Sequence, residues 1–288
     1  MELVVLLKLR DNGRTRHFCT IEDKGRFKDF FYIVMTMVGR SLQDLRKEMP
    51  KKKFSMGTAI SVGIKCLEAL EDLHNIGYLH RDVKPGNFAV GRAEVNELRS
   101  VKKNFVRLLA HNLDLFIGRD FRGTVKYAPL SCHILRELCR KDDVESWLYM
   151  VVEITCGKLP WRNLTEINAV GIYKKNCRKD KGVKRLFGGC PRKYVDILRI
   201  CDKTKFFDTP DYNRIYEIMG ECIRDTNSTE YPYDWEKDAN KVEEDDKVAV
   251  VTQCEGTSAY QGQSKMQSEI CINNEQPKSP RNSLPPYK

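Results

Sequence analysis

One stretch of eight residues constrains this chain more than any other. It reads His80-Arg81-Asp82-Val83-Lys84-Pro85-Gly86-Asn87 and is called the motif loop below. A carboxylate at Asp82 can orient an attacking hydroxyl group and accept its proton. An ammonium group at Lys84 can neutralise charge on a transferring phosphoryl group, and an amide oxygen at Asn87 can bind Mg²⁺. The spacing therefore favours phosphoryl-transfer chemistry over the alternative, a basic loop between a helix and a short strand.

Length and charge restrict the class of protein. The chain has 288 residues, of which 41% are hydrophobic, and a formal net charge of +10. It is long enough to bury a core as one domain, or as two lobes of one domain. The positive charge suits acidic or phosphorylated partners. No tight run of Lys and Arg interleaves with aromatic residues, so we expect no nucleic-acid partner. The sequence gives no oligomeric state.

The cysteines indicate a compartment. There are 11 of them, an odd number, with no Cys-x-x-Cys pair and no zinc-ligand spacing. The apolar start of the chain is too short for a secretory signal peptide. We therefore expect free thiols in a reducing compartment, either the cytoplasm or the nucleus. No apolar run approaches the roughly 20 residues that cross a membrane, so we expect no membrane partner.

The N-terminal part of the chain predicts helix and strand in turn. Residues 1–10 read as the end of an amphipathic helix. Residues 18–22 and 29–35 read as two strands joined by a polar turn at residues 23–26. The second strand is apolar on both faces, so we expect it to be buried. Ser41 is placed to cap the short helix that follows.

The remainder of the chain reads as mainly helical. Apolar residues recur at helical spacing through residues 55–77, where Ser55 is a candidate N-cap. A second hydrophobic helix runs from Asp142 to about Cys156, and Gly157 stops it. Other segments are a strand at residues 88–91, an irregular stretch at 92–120, and helical patterns at 170–175, 194–201 and 212–224.

Composition shifts near Glu236. Beyond it Ser, Gln, Asn, Glu and Pro dominate, aromatic residues nearly vanish, and residues 243–246 are all acidic. Segments of this composition bury too little apolar surface to fold. We therefore expect residues 238–288 to be a disordered tail.

Four stretches carry a family resemblance. They are Tyr78-Leu79-His80-Arg81-Asp82-Val83-Lys84-Pro85-Gly86-Asn87-Phe88, Phe121-Arg122-Gly123-Thr124-Val125-Lys126-Tyr127-Ala128, Asp142-Asp143-Val144-Glu145-Ser146 and Leu159-Pro160-Trp161-Arg162. Together they resemble the casein kinase 1 superfamily of protein kinases, most closely its tau-tubulin kinase-like branch, which is expanded in nematodes. The resemblance implies an α+β, protein-kinase-like fold. It would have a truncated N-lobe over residues 1–38 (the end of helix C, a hairpin and the hinge) and a mainly helical C-lobe over residues 39–237.

The resemblance also implies roles for individual residues. Asp82 would be the catalytic base, Lys84 the lysine that contacts phosphate, and Asn87 a Mg²⁺ ligand. The nucleotide-binding residues would be the gatekeeper Met35, then Thr36, Val38, Ser41, Asp44 and Ala89. A basic patch for an acidic or pre-phosphorylated protein substrate would comprise Arg122, Lys126 and Lys174, although each of these can equally be a solvated surface cation.

Three residues would hold the motif loop in place. His80 and Arg81 belong to the loop itself. Asp143 would brace the backbone of the loop from the second hydrophobic helix, or cap that helix, or do both. These roles, too, are implied by the resemblance.

The chain departs from the family pattern at three points. No Gly-x-Gly-x-x-Gly occurs, and no Val-Ala-x-Lys stretch supplies the strand lysine. The aspartate of the family's Asp-Phe-Gly motif would fall near Asn104, where an amide could bind Mg²⁺ only weakly. Asp114 is the alternative second ligand.

Two hypotheses of function follow. The first is a casein kinase 1-like protein serine/threonine kinase, which uses Mg²⁺ and ATP and transfers the γ-phosphate to serine or threonine of a protein. The second is a catalytically dead pseudokinase that acts as an interaction scaffold. It follows from the three departures above, because phosphoryl transfer relies mostly on positioning and charge neutralisation, which the missing parts would supply. A nucleic-acid-binding domain would rest on net charge alone.

Overall fold

The computed structural model describes residues 2–91, 106–108 and 123–236, with only the backbone given for residues 106 and 107. These residues fall within one unit of the chain. Small antiparallel sheets dominate the N-terminal part, and helices dominate the rest. The elements are α1 (Glu2–Asp11), β1 (Ile21–Phe27), β2 (Phe30–Met35), β3 (Val38–Ser41), α2 (Leu42–Glu48), α3 (Met56–Asn75), β4 (Phe88–Gly91), β5 (Val106–Leu108), α4 (Leu130–His133), α5 (Arg140–Cys156), α6 (Ile167–Asn176), α7 (Asp180–Phe187), α8 (Tyr194–Lys203) and α9 (Tyr212–Asp225).

The hairpin of β1 and β2 differs from the prediction in two ways. Phe27 pairs with Phe30, so the turn lies at residues 28 and 29, and the predicted turn at 23–26 is part of β1. The second strand is also not buried, since the Phe31 side chain is 80% exposed. An apolar strand is buried only where another layer faces it, and the local sequence does not report such a layer.

A second sheet has the order β3-β4-β5. Ser41 of β3 pairs with Ala89 of β4, and Phe88 of β4 pairs with Leu108 of β5. The strand β5 falls in a stretch predicted to be irregular. This sheet places β4, which directly follows the motif loop, between two other strands.

The helix α3 forms as its sequence predicts. The Ser55 hydroxyl accepts a hydrogen bond from the Thr58 backbone N–H at 3.4 Å, which satisfies one of the free donors of the first turn. Most of its apolar residues are fully buried against α5, and the Trp147 indole N–H of α5 donates to the Gly63 carbonyl at 2.8 Å. The long central helix is thus fixed along its length.

The helix α5 is the second predicted hydrophobic helix. It ends at Gly157, whose φ of 83° belongs to the left-handed region that suits glycine. A Cβ at Gly157 would also approach the Lys51 carbonyl oxygen to 2.6 Å, so both the backbone conformation and the available space require glycine here. At its start, Cys139 and Asp142 form a reciprocal capping box, so Asp143 does not cap this helix.

The described chain ends by packing on the start of α3. The Tyr233 side chain is fully buried, and the Asp234 carboxylate accepts a hydrogen bond from the Ser55 backbone N–H. The predicted tail, residues 238–288, lies outside the described residues. Among those described, no helix is long and apolar enough to cross a membrane.

Candidate active site

The motif loop is held at both ends by buried elements. It follows the C-terminal end of α3 and leads directly into β4, the central strand of the second sheet. Its terminal residues, His80 and Asn87, are both buried. Polar groups of the loop therefore sit at a fixed place between the helical core and the sheet.

Three motif residues converge on one another in the structure. The Lys84 ammonium group donates to Asp82 Oδ2 at 2.5 Å. The Asn87 side-chain amide donates to the Asp82 backbone carbonyl at 2.8 Å. Because Asn87 Nδ2 donates within the loop, the side-chain oxygen of Asn87 lies on the opposite side of the amide and can bind a cation.

A fourth side chain completes this cluster, and the sequence interpretation did not include it among the site residues. The Thr124 backbone N–H and hydroxyl both donate to Asp82 Oδ1 at 2.9 Å. The Lys84 ammonium also lies 3.3 Å from the Thr124 hydroxyl oxygen. The signal available in the sequence was the position of Thr124 directly after a glycine in a well-marked stretch.

Gly123 explains how Thr124 reaches the motif loop. Its φ is 94°, and a Cβ at this position would lie 2.8 Å from the Arg81 carbonyl oxygen. Only glycine adopts this conformation freely and allows such a close backbone approach. The 123–128 segment can therefore lie against the loop and present both donors of Thr124 to Asp82.

Asp143 of α5 holds the backbone of the motif loop. One carboxylate oxygen accepts the His80 N–H at 2.7 Å, and the other accepts the Arg81 N–H at 2.8 Å. His74 Nε2 lies 2.8 Å from the same carboxylate. Burial alone would raise the pKa of Asp143, but the hydrogen bond with His74 and the nearby charges outweigh it and lower the pKa. The carboxylate therefore stays ionised as an acceptor.

His80 is the internal support of the loop. Its Nδ1 accepts the Asp82 backbone N–H at 3.2 Å. Burial lowers the pKa of His80, against the opposing effect of the Asp143 carboxylate. A neutral imidazole is required here, because protonated Nδ1 could not accept this hydrogen bond.

The 123–128 segment is held from its other side by α5. The Lys126 ammonium and the Tyr127 hydroxyl both donate to the buried carboxylate of Glu153. The Trp161 indole N–H donates to the Lys126 carbonyl at 2.9 Å. The Lys126 side chain remains 32% exposed, so its ammonium can reach solvent while it is paired.

Lys174 does not belong to an exposed basic patch, which corrects the expectation from sequence. It is fully buried, and its ammonium group donates to the Val125 and Ala128 carbonyls at 2.8 and 2.6 Å. Burial lowers the pKa of Lys174 to about 7, against the opposing effect of Glu145. The amphipathic pattern of α6 could not reveal this, because the two carbonyls come from a distant segment.

The residues assigned to nucleotide binding are spread over the end of β2, the link to β3, β3 itself, α2 and β4. Met35 is the last residue of β2, Val38 and Ser41 lie on β3, and Ala89 is buried on β4. The Thr36 N–H donates to the Thr20 carbonyl at 2.9 Å, so this backbone donor is already engaged.

Two of these polar residues are also engaged with each other. The Ser41 hydroxyl donates to Asp44 Oδ2 at 2.6 Å, and it accepts the Asp44 backbone N–H at 3.2 Å as the cap of α2. Asp44 also pairs with Lys47 at 3.0 Å. The hydrogen bond with Ser41 and the pairing with Lys47 lower the pKa of Asp44.

Asn104, Asp114 and Arg122 lie outside the described residues. The Leu108 end of β5 pairs with Phe88, which adjoins Asn87, whereas its Val106 end pairs with Val90. Among the described residues, no group of three or more His, Cys, Asp or Glu side chains is arranged to hold a metal ion.

No protein-family model matches the chain. Three curated proteins are similar to it over most of its length. A probable serine/threonine-protein kinase of Dictyostelium discoideum is 32% identical over 253 residues, which are 83% of this chain and 48% of that protein. The serine/threonine-protein kinase spe-6 of Caenorhabditis elegans is 31% identical over 245 residues, 82% of this chain and 64% of that protein.

Of these three relatives, the third is the one of which this chain covers the largest share. A "putative casein kinase I" of Caenorhabditis elegans is 31% identical over 245 residues, 82% of this chain and 70% of that protein. The chain therefore spans between about half and seven tenths of the length of these relatives. The fold is protein-kinase-like, and the chain belongs to the serine/threonine protein kinase family.

Proposed function

We propose that the chain is a casein kinase 1-like protein serine/threonine kinase of the tau-tubulin kinase-like type. In this proposal it transfers the γ-phosphate of ATP to serine or threonine hydroxyl groups of a protein. The observation that carries the proposal is the cluster around Asp82, in which Lys84 and Thr124 fix both carboxylate oxygens and Asn87 holds the backbone.

Asp82 has the geometry of a base for a hydroxyl group. Its side chain is 13% exposed, so an incoming hydroxyl can approach it while Thr124 prevents it from rotating. A fixed acceptor needs no reorganisation when the hydroxyl arrives, which is how positioning lowers a barrier. Asp82 would orient the hydroxyl and accept its proton.

Lys84 would act on the other reactant. Its ammonium lies between Asp82 Oδ2 and the Thr124 hydroxyl, and its side chain is 30% exposed. A cation beside the base can donate to the oxygens of the phosphoryl group as it transfers. Because Lys84 pairs with Asp82, the hydroxyl group at Asp82 and the phosphoryl group at Lys84 would be held next to each other.

ATP and Mg²⁺ are the cofactors of this proposal. Bound Mg²⁺–ATP would supply the phosphoryl group and part of its charge neutralisation. The amide oxygen of Asn87 fits one Mg²⁺ ligand. The adenine edge would lie against the Thr36 carbonyl and the Val38 backbone, with Met35 and Ala89 as apolar walls and Ser41 and Asp44 toward the ribose.

An acidic or pre-phosphorylated protein segment is the proposed substrate. The net charge of +10 favours encounter with anionic partners. Lys126 lies two residues from Thr124 and keeps part of its side chain in solvent, so it supports this proposal. Lys174 gives no such support, because it is buried.

Transfer of labelled phosphate from ATP to an acidic peptide tests the proposal. We expect Asp82→Asn to lower the rate by about a thousandfold, equivalent to roughly 4 kcal/mol at the transition state. The matched control is Asp196→Asn, a half-exposed aspartate on α8, which should leave the rate unchanged. Transfer that survives in Asp82→Asn would show that the activity does not come from this site.

A specific observation favours a second candidate, a pseudokinase scaffold. The sequence contains no Gly-x-Gly-x-x-Gly and no Val-Ala-x-Lys stretch, and the aspartate of the family's Asp-Phe-Gly motif would fall near Asn104. An amide binds Mg²⁺ more weakly than a carboxylate does, and the missing parts supply much of the positioning and charge neutralisation in phosphoryl transfer.

Thermal stability with and without Mg²⁺–ATP separates the two candidates. A kinase should gain several degrees in Tm at saturating Mg²⁺–ATP, since a ligand that binds only the folded state stabilises it. Asn87→Ala should remove that gain. No shift in the parent chain, together with no phosphate transfer, would favour the scaffold.

A further inference from the structure

Two cysteines at the far end of α5 lie in contact. Cys156 is the last residue of α5, and Cys190 lies between α7 and α8. Their Sγ atoms are 3.3 Å apart, although they are 34 residues apart in sequence. All nine cysteines in the described residues are free thiols, and these two are the ones among them that are not buried.

The surroundings make Cys156 the more acidic of the two thiols. Its pKa is lowered by the hydrogen bond from Cys190 and by the positive charges of Lys53 and Lys158, against the opposing effect of burial. The same contact and burial raise the pKa of Cys190, so Cys156 is the thiol that ionises first. A thiolate near cations and accessible to solvent is the form that reacts with oxidants.

We propose that Cys156 and Cys190 are a redox modification site that peroxide converts reversibly to an intrachain disulfide. The Cys156 thiolate attacks one oxygen of hydrogen peroxide, and hydroxide leaves and takes up a proton to become water. The Cys190 sulfur then attacks the resulting sulfenic acid, and a second water leaves. In total, two thiols and one peroxide give one disulfide and two waters.

The loop before α8 can make the movement that this reaction needs. A disulfide bond is about 2.05 Å long, so the two sulfurs must approach by roughly 1.3 Å. Gly188 and Gly189 precede Cys190, and Gly189 has a φ of 95°. A Cβ at Gly189 would lie 3.4 Å from Cys156 Sγ, so glycine leaves space beside the thiol.

Closure would tie the C-terminal turn of α5 to the loop before α8. A crosslink over 34 residues restricts the unfolded chain, and we expect the oxidised form to melt about 5 °C higher than the reduced form. Oxidation of this cysteine pair does not require kinase activity.

Peptide mapping of the full chain tests the proposal. The reduced protein is treated with a small excess of hydrogen peroxide, free thiols are alkylated, and the digest is analysed by mass spectrometry. We expect a linked peptide that contains Cys156 and Cys190, a loss of about 2 Da from the intact mass, and full reversal by dithiothreitol. Stable sulfinic acid at Cys156 without the linked peptide, or links mainly to other cysteines, would overturn the proposal.

Variants make the assignment specific. Cys156→Ser and Cys190→Ser should each abolish the linked peptide and the rise in Tm. Cys139→Ser is the control, because serine is a preferred N-cap and should preserve the start of α5. It should oxidise like the parent chain. Folding of each variant is checked by circular dichroism. The peptide mapping of the parent chain tests the disulfide even if a variant fails to fold.

Discussion

Asp143 accepts the backbone N–H of Arg81 at 2.8 Å, and Arg81 has a φ of 65°. Residues other than glycine rarely adopt positive φ, and the conformation costs roughly 1 kcal/mol or more. The Asp143 carboxylate also accepts the neighbouring N–H of His80. A buried anion therefore holds two consecutive backbone N–H groups directly before Asp82, one of them at the strained residue Arg81.

Replacing Asp143 should release this backbone. We expect Asp143→Ala to lower the free energy of unfolding by about 3 kcal/mol, because it leaves two buried N–H groups without acceptors. Amide hydrogen exchange at His80 and Arg81 should accelerate beyond the change in global stability. Urea unfolding and exchange measured by NMR check both outcomes.

Asp142→Ala is the control for that experiment. Asp142 is equally buried and adjacent, but it caps α5 instead of contacting the motif loop. It should cost about 1 kcal/mol, as a lost cap does, without selective exchange at Arg81. Equal exchange profiles in the two variants would contradict the role given to Asp143.

Thr124 offers a test of positioning at Asp82. Thr124→Ala removes the hydroxyl that donates to Asp82 Oδ1 and should lower kcat for phosphate transfer by about tenfold or more. Thr124→Ser keeps the hydroxyl and should retain most of the activity. If serine fails as badly as alanine, the hydroxyl is not what holds Asp82.

Lys174 should behave as a structural residue. Lys174→Met leaves the Val125 and Ala128 carbonyls without a donor and should destabilise the fold by about 2–4 kcal/mol in urea unfolding. The exposed neighbour supplies the control, since Lys175→Met should change stability by less than about 0.5 kcal/mol. A raised KM for acidic peptide at unchanged stability would instead restore Lys174 to substrate binding.

The stability contributed by His17 should depend on pH. Burial alone would lower the pKa of His17, but the carboxylates of Asp72 and Glu68, at 3.1 and 3.0 Å, outweigh it and raise the pKa. Both carboxyl pKa values are lowered, that of Glu68 to about 2, so both groups stay charged. The stabilisation by His17 is therefore fully present at pH values below about 6.5, the pKa of histidine in the unfolded chain. It is lost as pH rises through the pKa of His17 in the folded chain.

Urea unfolding at pH 5.5 and pH 8 tests this sign. His17→Gln should destabilise the chain more at the lower pH. His133→Gln provides a control of opposite sign, because burial and Lys174 lower the pKa of His133 to about 4 and protonation there opposes folding. Its effect should shrink as pH falls. Identical pH dependence for both variants would refute the assignment.

Two phenylalanines should differ sharply in their contribution to stability. Phe31 on β2 is 80% exposed, whereas Phe18 just before β1 is 1% exposed. We expect Phe31→Ala to change the free energy of unfolding by less than about 1 kcal/mol and Phe18→Ala to cost about 3–5 kcal/mol. Comparable losses would mean that another layer covers Phe31 in solution.

The two central helices could be predicted because their signals are local. In α3, a capping serine, regular apolar spacing and a following glycine all lie within one segment, and the helix begins within one residue of the prediction. In α5, Gly157 ends the helix as predicted. Where capping, periodicity and termination agree, a sequence specifies its helix closely.

The hairpin and Lys174 show why other features could not be predicted. The charged run at residues 23–26 suggested a turn, but the pairing with β2 extends through it. The burial of Lys174 depends on carbonyls almost fifty residues earlier in the chain. Both outcomes depend on tertiary partners, which local propensity does not encode.

The cluster around Asp82 was predictable in part. The spacing within the motif loop indicated three of its side chains, because they lie within six residues of one another. Thr124 is 42 residues from Asp82, and only the folded chain brings the two together.

The placement of Asp143 and Glu153 on α5 has a mechanical consequence. Asp143 holds the motif loop and Glu153 holds the 123–128 segment, and their separation of ten positions corresponds to roughly 15 Å of helix. Both halves of the Asp82 cluster are thus anchored to a single rigid rod. Melting of α5 would detach them in one step, so the cluster should open as one cooperative unit instead of fraying residue by residue.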